Sequence, residues 1–115
     1  MKPKVQFRLR VYRDDVIAIG PGKIAVLEAV AETGSISGAA RLLGMSYRRA
    51  WLLIDETNRA MVQPAVNTAA GGAHGGGTAL TPLGQELITR YRAVENAARI
   101  AAASDLAGLN RLIAP

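Results

Sequence analysis

The spacing of apolar and polar residues changes along this chain, and each change predicts a different element. From Lys4 to Arg13, Val5, Phe7, Leu9 and Val11 alternate with Gln6, Arg8, Arg10 and Tyr12. A period of two predicts a half-buried strand, and arginines on its outer face discourage edge-to-edge pairing. Residues 14–20 lead into Pro21 and Gly22, where a helix is expected to start. Ile24, Leu27, Val30 and Ala31 give that helix an apolar face, and Gly34 ends it.

The stretch Thr33 to Asn58, TGSISGAARLLGMSYRRAWLLIDETN, then predicts a helix, a glycine-marked turn and a second helix. Ser35 and Ser37 each offer a hydroxyl to cap the first of these. Ala39 and Ala40 are small enough for a crossing helix to approach closely, and Leu42 and Leu43 supply the apolar face. Gly44 stands where the chain must leave the helix, in a left-handed conformation that glycine adopts without strain. Met45 is expected to plug the space between the helices, and Ser46 to cap the second one. Ala50, Ile54 and Thr57 recur at i, i+4 and i+7 as its buried stripe. Tyr47, Arg48, Arg49, Leu52 and Asp55 fall mostly outside that stripe, so the first turn offers a phenol and two guanidiniums to a partner. Trp51 is expected in the core rather than as a stacking platform.

Beyond Met61 the pattern changes again. Pro64 argues against more helix. Ala65 to Ala69 reads as a short strand, and Thr78 to Leu80 as its return across a glycine-rich tip from Gly71 to Gly77. Such a hairpin is a wing beside a helix-turn-helix. Thr81-Pro82 is a strong helix start, a Thr cap with Pro at the first position. Leu83, Leu87, Ile88, Tyr91, Val94, Ala98 and Ala101 then recur every three or four residues. A last short helix, Asp105 to Ile113, carries Leu106, Leu109 and Leu112 with little of its own domain left to cover them. These long apolar stripes read as a dimerisation element. The fold class expected is mainly α with a small β component: an N-terminal strand, helix-turn-helix at about 36–60, wing at about 64–81 and C-terminal helices at about 82–113, in one domain.

Composition sharpens this. The 115 residues suit a single small domain, and a hydrophobic content of 50% can fill its core with aliphatic side chains. The net charge of +5 favours a polyanionic partner. With no cysteine there is neither a disulfide framework nor a thiolate metal site. No apolar leader and no run of membrane-spanning length is visible, so a cytoplasmic protein without a membrane partner is expected. An enzyme is not expected. Gly71 to Thr78 misses the phosphate-binding loop because Gly77 stands in the place of its lysine. His74, the lone histidine, lies in that glycine run without carboxylate or thiol neighbours for a triad or a metal site. No cofactor is expected.

Three stretches now resemble the DNA-binding domain of ModE-type molybdate-responsive transcriptional regulators, and more distantly the LysR-type headpiece. They are Glu32 to Ala40, Gly44 to Trp51 with Asp55 to Asn58, and Gly71-Gly72 through Gly75-Gly76-Gly77 to Leu80-Thr81-Pro82-Leu83-Gly84. The resemblance covers about residues 4–104. It implies a winged helix-turn-helix that dimerises through its flanking helices on a palindromic operator. It also implies that Ser46, Tyr47, Arg48 and Arg49 enter the groove while Gly75 to Thr78 lie beside the sugar-phosphate backbone. Three departures stand out. Full-length members continue into molybdate-binding domains, whereas this chain stops at Pro115, so molybdate sensing is expected to need a separate effector-sensing protein. The wing carries Asn67, Thr68, Ala69, Ala73 and His74 where basic residues are usual. Leu52 is apolar where a polar groove-facing residue would be expected.

The partner expected is therefore double-stranded DNA, bound by a homodimer. Arg41, Arg48, Arg49 and Arg59 would neutralise phosphates, and the helix N-termini near Ser37 and Ser46 favour phosphate oxygens. Arg48 or Arg49 would use its planar fork on guanine. Ser35, Leu52, His74, Gly75, Gly76 and Thr78 complete the expected contact set. The competing reading is a protein-interaction or heterodimerisation module that keeps the winged-helix fold without site-specific DNA binding. The stripped wing and Leu52 favour that reading, and the retained Arg48 and Arg49 favour DNA.

Overall fold

The structure, a computed structural model, describes residues 2–68 and 77–115. The chain runs β1 (Val11–Arg13), β2 (Val16–Ile19), α1 (Pro21–Thr33), α2 (Ile36–Leu43), α3 (Tyr47–Ala60), β3 (Val66–Thr68), β4 (Thr78–Leu80), α4 (Pro82–Ala101) and α5 (Ala103–Asn110). This is the expected winged helix-turn-helix, mainly helical with two small antiparallel hairpins, β1–β2 and β3–β4. No described helix is long and apolar enough to cross a membrane.

The N-terminus corrects the reading of Lys4–Arg13 as one strand. Only Val11–Arg13 forms a ladder, paired with β2 as Val11↔Ile19, Tyr12↔Ile17 and Arg13↔Val16. Ahead of it the burial still alternates, with Val5, Phe7 and Leu9 half-buried and Gln6, Arg8 and Arg10 exposed. Alternation reports which face is covered, not whether a neighbouring strand exists. What covers Leu9 and Phe7 is α4. The Tyr91 hydroxyl donates to the Leu9 carbonyl at 3.0 Å, and the Arg99 guanidinium lies 5.8 Å from the Phe7 ring centre. The strand Val16–Ile19 lies where only a lead-in was expected. Its turn needs Asp14 at φ 55, a left-handed conformation that Asp tolerates better than most residues.

Helix α1 is the centre of the molecule. Gly34 ends it at φ 74, its N–H donating to Val30 O, as expected. Ile24, Leu27 and Val30 are buried, but so are Val26, Ala29 and Lys23, while Ala31 is exposed. The expected single apolar face is too narrow because α2, α3, β4 and α4 all pack on this helix. The Lys23 ammonium reaches water-poor surroundings at 7% exposure. It is held there by the Ile17 carbonyl and by Glu56 at 3.6 Å, as burial of a charge requires. It thereby links α1, β2 and α3.

α4 begins as expected, with the Thr81 hydroxyl accepting from Gly84 N at 3.1 Å and Pro82 at its start. Arg92 fastens α4 to α1 through a two-pronged pair with Glu28, at 3.0 and 2.6 Å, while Glu95 takes a third N–H at 2.6 Å. These two carboxylates hold the Arg92 guanidinium protonated well above its ordinary range. Burial raises the Tyr91 phenol pKa above 10.0. The far end of α4 and all of α5 stand apart: α5 buries no residue, and Leu112 beyond it is 82% exposed.

Candidate nucleic-acid interface

The helix-turn-helix is built by local chemistry that the sequence states directly. Ser35 caps α2, its hydroxyl accepting from Gly38 N at 2.8 Å. The Thr33 hydroxyl closes the preceding turn on Ala29 O at 2.8 Å. A methyl group on Gly38 would sit 2.8 Å from both the Ser35 oxygen and Thr33 Cβ, so a side chain at Gly38 would push the cap apart. Ser37 lies one residue inside α2 and is exposed, leaving the capping role to Ser35. Gly44 takes φ 67 as expected, and Met45, half-buried, packs against the core. Ala39, Ala40 and Ala50 are buried where α2 meets α3. Leu43 joins that core, but Leu42, expected beside it on the apolar face, is exposed. Two adjacent helix positions diverge by about 100°, so a helix this short with its alanines inward can cover only one of the leucines.

Ser46 caps α3 by accepting from Arg49 N at 3.1 Å. Ala50, Ile54 and Thr57 are the buried residues of α3, as expected. Opposite them, Arg48, Leu52, Asp55 and Arg59 recur at i, i+4, i+7 and i+11 and form one outward stripe. Its two flanks differ. Tyr47 and Trp51 share a stripe with Asn58, which is bonded to the base of the wing. Arg49 shares one with half-buried Leu53 and with Glu56, the partner of Lys23. Arg48 and Arg49 have no carboxylate in ion-pair range among the described residues, whereas Arg59 pairs with Asp55 at 3.0 Å. Trp51 corrects the expectation of a core residue: it is 44% exposed. Ala50 and Ile54 already occupy the inward stripe on either side of it, and one helical step carries Trp51 out.

The C-terminal end of α3 is tied to the body. The Asn58 carboxamide oxygen accepts from Ala65 N at 2.8 Å and Val66 N at 3.1 Å, and its NH2 donates to Val66 O at 3.2 Å. Arg13 donates to the Arg59 carbonyl at 3.4 Å. Below the wing, Thr81 donates to Pro64 O at 2.7 Å, and Gly84 lets α4 pass so close that an added Cβ would stand 2.2 Å from Ala65 O. The wing strands pair as Val66↔Leu80, Asn67↔Ala79 and Thr68↔Thr78.

The expected contact residues thus fall into groups. Ser46, Tyr47, Arg48, Arg49, Leu52 and Arg59 lie together on the exposed part of α3, and Arg41 is exposed on α2. Thr78 is only 9% exposed and its N–H donates to Gly34 O at 3.0 Å, so it braces the wing against α1. His74, Gly75 and Gly76 lie outside the described residues. Lys23, Asn58, Gly84 and Trp51 were not singled out as functional from sequence. Only Asn58 carried a local signal, an amide side chain at a helix end ahead of a proline-marked turn.

Comparison with known proteins places this geometry. Residues 22–85, more than half the chain, match the family described as bacterial regulatory helix-turn-helix protein, lysR family. The chain is 46% identical over 77 residues to the molybdenum-pterin-binding protein MopB of Rhodobacter capsulatus, covering 67% of this chain and 28% of that protein. It is 40% identical over 88 residues to the molybdenum transport protein ModE of Azotobacter vinelandii, 76% and 33% respectively. It is 44% identical over 71 residues to the DNA-binding transcriptional dual regulator ModE of Escherichia coli (strain K12), 62% and 27%. The chain spans a third or less of the length of these relatives.

Proposed function

The chain belongs to the bacterial regulatory helix-turn-helix proteins of the lysR family, and from that premise we propose that it is a DNA-binding transcriptional regulator acting as a dimer on a palindromic operator. The observation that carries the reading is the layout of α3: a buried stripe on one side, and outside it at a capped helix start Arg48 and Arg49, which have no carboxylate in ion-pair range among the described residues. In this reading α3 enters the major groove with its first turn leading. Arg48 and Arg49 meet the DNA first. Arg41 and the α2 and α3 N-termini hold phosphates.

The dimer reading rests on α4, α5 and the residues that follow, where Val94, Ile100, Leu109, Leu112 and Ile113 are exposed. Two copies joined there would present their α3 helices about 34 Å apart, one turn of duplex. Because the relatives' names refer to molybdenum, the regulated genes are proposed to serve molybdenum handling in the cytoplasm. The signal would come from an effector-sensing protein.

The test is fluorescence anisotropy with duplexes tiled from upstream regions of the source genome, at several salt concentrations and with and without molybdate. A selective duplex whose affinity falls with a log–log salt slope of about 0.9 per neutralised phosphate is the expected result. A second reading has its own support: Leu42, Tyr47, Trp51 and Leu52 are exposed around the same helices, which suits a protein-docking surface. Absence of any selective duplex would favour that reading.

A further inference from the structure

Leu52 is 39% exposed in the middle of the outward stripe of α3, one turn beyond Arg48 and one before the Asp55–Arg59 pair. Among the described residues it is one of the exposed large apolar side chains. An apolar side chain facing a partner needs hydrocarbon from that partner. Among the groups that base pairs present in the major groove, the C5-methyl of thymine is the hydrocarbon one; the rest are donors and acceptors. We propose that Leu52 reads a thymine methyl and that Arg48, on the same stripe, reads a guanine beside it. The inference rests on the DNA-binding reading above.

The stripe also distinguishes the two arginines. Arg48 lies opposite the buried residues, while Arg49 lies toward the flank that Glu56 and Lys23 bind to the body. Arg48 therefore takes the base edge and Arg49 a phosphate. Asp55 would repel DNA as a free carboxylate, but the Arg59 guanidinium at 3.0 Å offsets its charge. One helical turn advances about 5.4 Å, so the guanine and the thymine fall within two base pairs of each other in each half-site.

The experiment replaces each thymine of the selected operator by deoxyuridine, which lacks only the methyl, and measures affinity by anisotropy for the wild type and for Leu52→Ala. The expected result is one position per half-site at which deoxyuridine weakens the wild type by about three- to fivefold, with Leu52→Ala indifferent there. Since Leu52 is on the surface, Leu52→Ala should fold normally, which its circular dichroism would verify. As a second arm, Arg48→Lys should lose discrimination at a guanine within two base pairs of that thymine, with Arg49→Lys retaining it. Selective binding with no deoxyuridine-sensitive position, or equal sensitivity in Leu52→Ala, overturns the inference and leaves the regulator standing. No selective duplex at all overturns both.

Discussion

Helices α3 and α5 both turn apolar residues to the surface, and what holds each of them is different. α3 has a serine cap, a buried stripe of Ala50, Ile54 and Thr57, and Asn58 bonded to the wing at its far end. α5 has no side-chain cap and buries nothing, with Leu109 60% exposed. A helix capped at its start, packed along a buried stripe and bonded to the wing at its far end presents its outward groups at fixed spacing. α5 meets α4 at their junction and leaves Leu109 largely uncovered. In the proposed reading, the exposed apolar surface on the first would serve recognition of DNA and that on the second would form half of a dimer interface.

Substitutions at the anchors of α3 should give the largest effects. Asn58→Ala removes the acceptor for Ala65 N and Val66 N and the donor to Val66 O. Unpaired backbone groups are left near the core, and a loss of about 3 kcal/mol in urea unfolding is expected. An unchanged midpoint would mean that the wing base does not depend on α3.

Next come the outward arginines, where binding should change and stability should not. Arg48→Ala should weaken specific binding by about 10- to 100-fold. Arg49→Ala should cost far more specific affinity than Arg99→Ala, because Arg99 lies over Phe7 at the opposite part of the fold. Equal losses for Arg49 and Arg99 in a titration would remove Arg49 from the interface.

Tyr91→Phe is smaller, about 1 kcal/mol for the bond to Leu9 O. It also carries a pH signature. Burial lifts the folded Tyr91 pKa above its unfolded value of 10.0. Its contribution is therefore fully present below pH 10.0 and is lost as pH rises through the folded value. Wild-type stability should fall more steeply above that pH than that of Tyr91→Phe, by thermal melts across the range; parallel curves would contradict it.

The smallest effect on stability belongs to α5. Leu109→Lys should change unfolding of a dilute monomer by less than about 0.5 kcal/mol, yet shift sedimentation equilibrium from dimer to monomer. A dimer that survives would move the interface elsewhere.

These two helices also show what the residues disclose in advance. Ser46, Ala50, Ile54, Thr57 and Thr81-Pro82 could be read because each depends on neighbours within a turn of itself. Trp51, Leu42 and Ala31 could not be placed, because their exposure is decided by how much of each helix the neighbouring elements cover. The strand Val16–Ile19 was hidden because its partner is a fragment of a longer alternating run. Lys23 and Asn58 act across β2, α3 and β3, and nothing in their local sequence names those partners. The outward residues of α3 were legible as a group, while the order within it, Arg48 outward and Arg49 flanking, needed the helix docked.

The most direct measurement compares the affinity of the wild type and Arg48→Ala for a selected duplex and for a scrambled duplex of the same composition, at one salt concentration. Strong preference by the wild type, with the preference largely lost in Arg48→Ala while residual binding to the scrambled duplex persists, is the predicted result. Equal affinity of the wild type for both duplexes would contradict the claim that the outward stripe of α3 reads sequence.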